Sequence, residues 1–282
     1  MLVVVGTLVV IISVLGGYVL SHGQLLALWQ PYELLIIGGG AGGAFLIANP
    51  GKLVKAAFSD MLGLLKGPAY RRQDYVDLLS LLYDIFSVMR KEGLLGLEPH
   101  IEDPSSSAVF SAYPRLLAEH HLIEFITDCL RLILGGSMNP HELDALLEVE
   151  LETHHHEAEA PAMAVNKSAD SLPVLGIVTT MSSLGGDTSK IGEHIAGALV
   201  GTFLGILLCY GFMGPLASAM ENKAQDDGKA FECVKVALLA NLRGYNPMVA
   251  VEFARKSLSG HTRPSFLDLE LHLKGDRSGA AA

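Results

Sequence analysis

The chain has 282 residues, half of them hydrophobic and 18% charged, with a mean hydropathy of +0.38. That is too apolar for one soluble domain and too charged for a protein lying wholly in lipid, so spans joined to a sizeable soluble part are expected. The net charge of -10 excludes a basic stripe for neutralising phosphates, and three scattered cysteines (Cys129, Cys209, Cys233) form neither a disulfide framework nor a metal-ligand spacing.

Leu2 to Leu20 carries no charge and reads as a first span. No basic n-region or small-residue cleavage site accompanies it, so it is expected to be retained rather than removed as a signal peptide. Ser21 to Gln30 is a short polar turn, with Trp29 and Tyr32 placed as interfacial aromatics. Leu34 to Ala48 is the second apolar run, and residues 1–49 form a first hairpin. Lys52, Lys55, Lys66, Arg71 and Arg72 follow together, which marks that side as cytoplasmic by the positive-inside rule. Gly38 to Gly43 contains the letters of a dinucleotide-binding loop. No acidic residue follows at a suitable strand end, so a glycine-lined packing face is expected instead.

Residues 50–171 are expected to be a helical cytoplasmic domain. Asp74 to Arg90 has helical periodicity, with Asp74 as N-cap and Gly93 as the stop. Leu94 to Glu98 and a loop at Glu102 to Ser107 come next. Leu116 to Leu134 reads as another helix, and Asn139-Pro140 opens a further one, cap followed by first-turn proline. His154-His155-His156 invites a metal reading. Consecutive helical residues point about 100° apart, so three cannot converge on one ion, and a solvated face is expected there and at His120-His121.

Leu172 to Leu184, opening at Pro173, is the third apolar run, and it is short. Even counted to Gly186 it offers about 15 residues where roughly 17 to 25 are normal. The fourth run, between Ile195 and Met220, is long enough to span. Gly197, Gly201 and Gly205 stand four apart and give it a nearly bare face for another helix, with Thr202 beside that face. Pro215 should bend or end it. Residues 172–220 thus form a second hairpin, and 221–282 a cytoplasmic tail with helices from Phe231 to Leu242 and from Asn246-Pro247 to near Leu258. No strand alternation persists, so the class is all-α: a polytopic membrane protein with four transmembrane helices and a helical cytoplasmic domain. No Asp, Glu, Lys or Arg lies inside any of the four runs; Glu33, Glu193 and His194 sit at their edges. A chain so built cannot supply a titrating carboxylate at membrane depth and would need a partner that does.

The fourth run, A-L-V-G-T-F-L-G-I-L from Ala198 followed by Pro215, also carries a family resemblance. So do Gly6-Thr7-Leu8-Val9-Val10 with Gly16-Gly17-Tyr18, Gln30-Pro31, Ser111-Ala112-Tyr113-Pro114-Arg115, Ser171-Leu172-Pro173, Val251-Glu252-Phe253 with Arg255-Lys256, and Arg263-Pro264-Ser265-Phe266. Together they resemble the MotA family, stator subunits of the bacterial flagellar motor, within the MotA/ExbB/TolQ proton-channel superfamily. The resemblance covers nearly the whole chain. It implies a non-enzymatic subunit of the bacterial inner membrane, without cofactors, of which five copies surround two of MotB and convert ion flow into torque. By that likeness Arg90 and Glu98 match residues that meet the rotor protein FliG. Pro173 and Pro215 match the prolines near the partner's ion-binding carboxylate. Thr202 matches a hydroxyl-bearing position close to the ion pathway, and Thr179 or Thr180 would lie opposite. The long cytoplasmic loop and tail favour protons over sodium. The third run departs from the pattern, where about seven further residues, roughly 10 Å of helix, are expected after Val178. Two other readings keep the architecture: an energising subunit of the ExbB or TolQ type, and a non-conducting membrane scaffold.

Overall fold

A computed structural model describes residues 2–136, 138–182 and 191–279, and every regular element among them is helical. In chain order these are α1 (Leu2–Leu20), α2 (Leu25–Leu28), α3 (Pro31–Ala48), α4 (Gly51–Gly63), α5 (Arg72–Glu92), a 3-10 turn (Leu94–Leu97), α6 (Glu98–Glu102), α7 (Ala108–Ser111), α8 (Pro114–Leu117), α9 (His120–Leu134), α10 (Pro140–Ser182), α11 (Ile191–Ile206), a π-helical stretch (Leu207–Met213), α12 (Gly214–Leu242), α13 (Pro247–Ser257) and α14 (Phe266–Gly279). Among the described residues three stretches are long and apolar enough to cross a membrane: Leu2–Leu20, Leu25–Ala48 and Leu199–Leu242. The chain divides into two units, residues 1–67 with 156–224, and residues 68–155 with 225–282.

The first unit holds the apolar runs. No residue of α1 is buried, which suits a helix that is apolar all round only if lipid surrounds it. Ile37 and Ala41 of α3 pack with Ala169, Leu172 and Cys209, while Ala57 and Leu64 pack with Ala162, Val165, Ala217 and Met220. Two sequence expectations are corrected here. Pro173 does not open a new helix, because α10 runs through it, and through Pro161, without a break. The third apolar run therefore continues from the helix before it, and residues 183–190, where its far end falls, lie outside the described residues. Nor does Pro215 end the fourth run. The π-helical stretch just before it supplies a wider turn, in which the Gly214 N–H donates to the Cys209 carbonyl five residues back. That extra residue per turn relieves the clash between a proline ring and the preceding turn, and α12 carries on to Leu242.

The second unit has a single large core. Leu78, Leu79, Leu81, Leu82, Ile85 and Phe86 of α5 meet Leu122, Ile126 and Leu130 of α9, Val234 and Leu238 of α12, and Ala250 and Val251 of α13. Asp74 is not the cap of α5. Arg71 holds that position, and Asp74, at the third helical residue, accepts the Arg71 backbone N–H at 2.6 Å. Asn139 does cap α10, its Oδ1 accepting from the N–H groups of His141 and Glu142. The stretch from Leu116 to Leu134 is split, α8 closing at Leu117 and α9 opening at His120. The helix expected from Phe231 is the end of α12, and α14 has no counterpart in the expected elements.

Candidate functional site

In the first unit α10 and α11 meet along a close seam. A methyl group built on Gly205 would stand 2.6 Å from the Leu172 carbonyl oxygen and 3.2 Å from the Pro173 Cα. One built on Gly176 would stand 2.6 Å from the Gly201 carbonyl oxygen and 3.3 Å from the Thr202 Cα. Backbone thus lies on backbone, which only residues without Cβ permit. The seam brings Pro173, Gly201, Thr202 and Gly205 together, with Thr202 half-buried beside it. Gly197 faces elsewhere: its missing Cβ would lie 3.3 Å from Oε1 of Glu33, on α3. Pro215 is exposed at the start of α12. The side chains of Thr179 and Thr180 lie outside the described residues.

Two features of this region go beyond the sequence reading, which has Glu33 only as an edge residue. One is the π-helical stretch, for which a proline following a glycine-rich run is the sole signal. The other is Glu33, whose Oε2 is buried and lacks a hydrogen-bond partner among the described residues. A carboxylate beside an otherwise uncharged run is the trace it leaves in the sequence.

In the second unit, Gly93 stops α5 with a φ of 77°, a conformation that favours glycine. The 3-10 turn then leads into α6, anchored by the buried Leu97 and Ile101. Arg90 and Glu98 flank this corner, both exposed, and neither makes an ion pair or a side-chain hydrogen bond among the described residues. Arg90 borders a cavity of about 260 Å³ lined by Phe86, Met89, Asn241, Gly244, Tyr245 and Pro247.

The remaining motifs are latches within this unit. Arg115 Nε stands 2.8 Å from the buried Asp74 Oδ1, an ion pair whose angle falls outside hydrogen-bond geometry. Tyr113 Oη donates to Asp84 at 2.9 Å. Arg255, 7% exposed, donates to both oxygens of Glu252 at 2.6 Å and to the Pro264 carbonyl at 2.8 Å. Those hydrogen bonds hold the Glu252 carboxyl below its ordinary range. Arg263 ties back to the Leu258 and Lys256 carbonyls. Lys235 bridges Asp144 at 3.0 Å and Glu148; burial pushes its ammonium down, but the two carboxylates outweigh that and hold it above the usual lysine range. His154 lies over Phe231 with ring centres 4.2 Å apart, and no group of three or more His, Cys, Asp or Glu among the described residues is arranged to hold a metal.

Residues 4–93 match the family model "Motility protein A N-terminal". The chain is 46% identical to motility protein A of Salmonella typhimurium over 99% of its own length and 97% of that protein's, and 45% identical to motility protein A of Escherichia coli over 97% and 95%. In fold it is similar to the Campylobacter jejuni MotAB structure (TM-score 0.73, 19% identity, 94% of this chain and 98% of that one). A Bacillus subtilis MotAB stator structure gives a TM-score of 0.67 at 24% identity, covering 88% and 92%. Near-full-length identity at this level, with the same all-helical fold, leaves one conclusion: the chain belongs to the motility protein A family of flagellar stator subunits.

Proposed function

We propose that this chain joins a MotB-type partner to form an ion-conducting stator unit and turns ion flow into torque on the rotor. The observation that carries the reading is a close-packed seam with a hydroxyl beside it, Thr202, in apolar runs that contain no Asp, Glu, Lys or Arg. A pathway through hydrocarbon needs a titratable group, and here it would come from the partner. In this reading the chain crosses the membrane four times, the third span being the end of α10 from Leu172. Residues 1–49 and 172–220 are the membrane hairpins, and the basic residues after α3 put residues 50–171 and 221–282 in the cytoplasm. Five copies surround two partner chains, and protons are the coupling ion.

Each proton moved down 100 mV releases roughly 2.3 kcal/mol. To yield torque, that energy must bias an element with two packings. In this reading Pro173, at the seam, and Pro215, after the π-helical stretch, are the coupling residues, with Thr202 and Thr180 beside the pathway. α10 and α12 each contribute residues to both units. At the rotor-facing corner Arg90 and Glu98 are uncommitted charges, ready to pair with FliG.

The test is proton uptake by inverted membrane vesicles carrying the chain with its partner, the partner alone, or the chain alone. Uptake above background only with both subunits is expected. Uptake by the chain alone, or none with both subunits inserted, overturns the reading.

A further inference from the structure

We infer that the first unit carries a binding site for one acyl chain of a glycerophospholipid, with an anionic headgroup held by the lysines of α4. The site is a cavity of about 290 Å³ where α3, α4, α10 and the π-helical stretch meet, lined among others by Gly38, Gly42, Phe45, Phe58, Met61 and Leu208. Its lining borders the seam at Leu172 and the π-helical stretch at Leu208 and Met213, and includes none of Pro173, Thr202 and Pro215.

Three observations choose the occupant. First, the lining is hydrocarbon apart from Ser168, whose hydroxyl already donates to the Ala41 carbonyl at 3.4 Å. A water molecule needs two to four polar partners and finds none to spare, so the cavity is not a hydration site. Second, its size fits a hydrocarbon chain. About 290 Å³ is twice the 150 Å³ apolar cavity that accepts benzene, hence room for about a dozen carbon atoms. Third, the cavity is open and its rim is amphipathic. Phe58 lines it and is 58% exposed; Leu62 and Leu65 beyond it are also exposed. Lys55 is three residues before Phe58 on α4, and Lys52 three before Lys55 and a further 60° around the helix, so two lysines lie about one and two turns from Phe58. An apolar slot at the end of a membrane span, beside cations at headgroup level, is complementary to a phospholipid.

Gly38 and Gly42 make the proposal testable, because a Cβ on either meets nothing within 4 Å and a larger side chain would occupy the cavity itself. Cells expressing the full chain with its partner are fed a fatty acid bearing a diazirine near the middle of the chain. Their membranes are irradiated, and adducts on the purified protein are mapped by mass spectrometry. Phospholipid adducts on the segment containing Phe58 and Met61 are expected. They should fall at least five-fold in Gly42→Leu and in Gly38→Leu, and persist in Gly39→Leu, which is exposed and outside the cavity lining. In vesicles of mixed phosphatidylglycerol and phosphatidylcholine, each of Lys52→Gln and Lys55→Gln should lower the preference for the anionic lipid about five-fold, the equivalent of about 1 kcal/mol per lysine. Wild-type adducts absent from this segment, or adducts undiminished in both filled variants, overturn the proposal. So does a photo-crosslinking residue at Met61 that captures a second copy of the chain instead of lipid.

Discussion

Gly205→Ala adds one methyl group where backbone meets backbone in the first unit. Its Cβ would sit 2.6 Å from the Leu172 carbonyl oxygen, where carbon–oxygen contacts normally begin at about 3.3 Å. The obstacle is backbone on a packed helix, so no side-chain rotation relieves it, and α10 and α11 must part by roughly 0.7 Å. Overpacking of this kind costs about 1–3 kcal/mol. Alanine returns roughly 0.5–1 kcal/mol of helix propensity, leaving a net loss of about 1–2 kcal/mol. For a unit of this size that lowers Tm by roughly 2–4 °C per kcal/mol. Gly176→Ala should behave alike, since its methyl meets the Gly201 carbonyl oxygen at 2.6 Å. Two substitutions calibrate the result. At Gly40 the neighbour is the movable Leu175 side chain, and at Gly43 nothing lies within 4 Å, so those alanines should be near neutral and neutral to stabilising. Thermal unfolding of the purified complex, read beside swim-ring diameter, measures both stability and output. A Gly205→Ala protein as stable as wild type would refute the backbone seam.

Other outcomes follow from the second unit. Arg90→Ala with Glu98→Ala should leave thermal stability within about 0.5 kcal/mol, as both side chains are exposed and unpaired among the described residues, yet shrink swim rings; a matching loss of stability would point to a structural role. Glu252 has a depressed folded pKa, so its contribution to stability is complete above the unfolded value of about 4.3 and disappears as pH falls through the lower folded one. Arg255→Gln should therefore unfold at a higher pH during acid titration, and an unchanged acid midpoint would contradict the latch. Burial pushes the Cys129 thiol up to about 12 and raises that of Cys233 as well, so maleimide at neutral pH should label both only after denaturation. Rapid labelling of native Cys129 would mean that the core opens.

Much of this architecture was legible because lipid imposes simple rules. Uncharged runs, the lysines after Ala48 and the glycines of the fourth run all follow from composition and spacing alone. What stayed hidden was continuity. Proline normally interrupts helices, so Pro173 reads as a start and Pro215 as a bend or an end. The structure instead keeps both helices whole, in the second case through a π turn that leaves no sequence trace of its own. Local capping failed in the same way at Asp74. A carboxylate at the third helical residue reaches back to the cap residue's N–H, whereas one at the cap accepts from N–H groups inside the first turn, and the sequence pattern does not tell the two apart. Arg90 and Glu98 gave no physical signal at all, since exposed charges on a helical corner look like any others. Family likeness drew attention to them. Conversely, the arginine motifs near residues 115, 255 and 263 carried the likeness, and they prove to hold the fold rather than the chemistry.

The most direct measurement is swimming of a bacterium lacking both of its stator genes, supplied with this chain and its cognate partner, with insertion of both checked by blot. The account predicts motility with the pair and none with either subunit alone. Inserted, paired but immotile protein would contradict it.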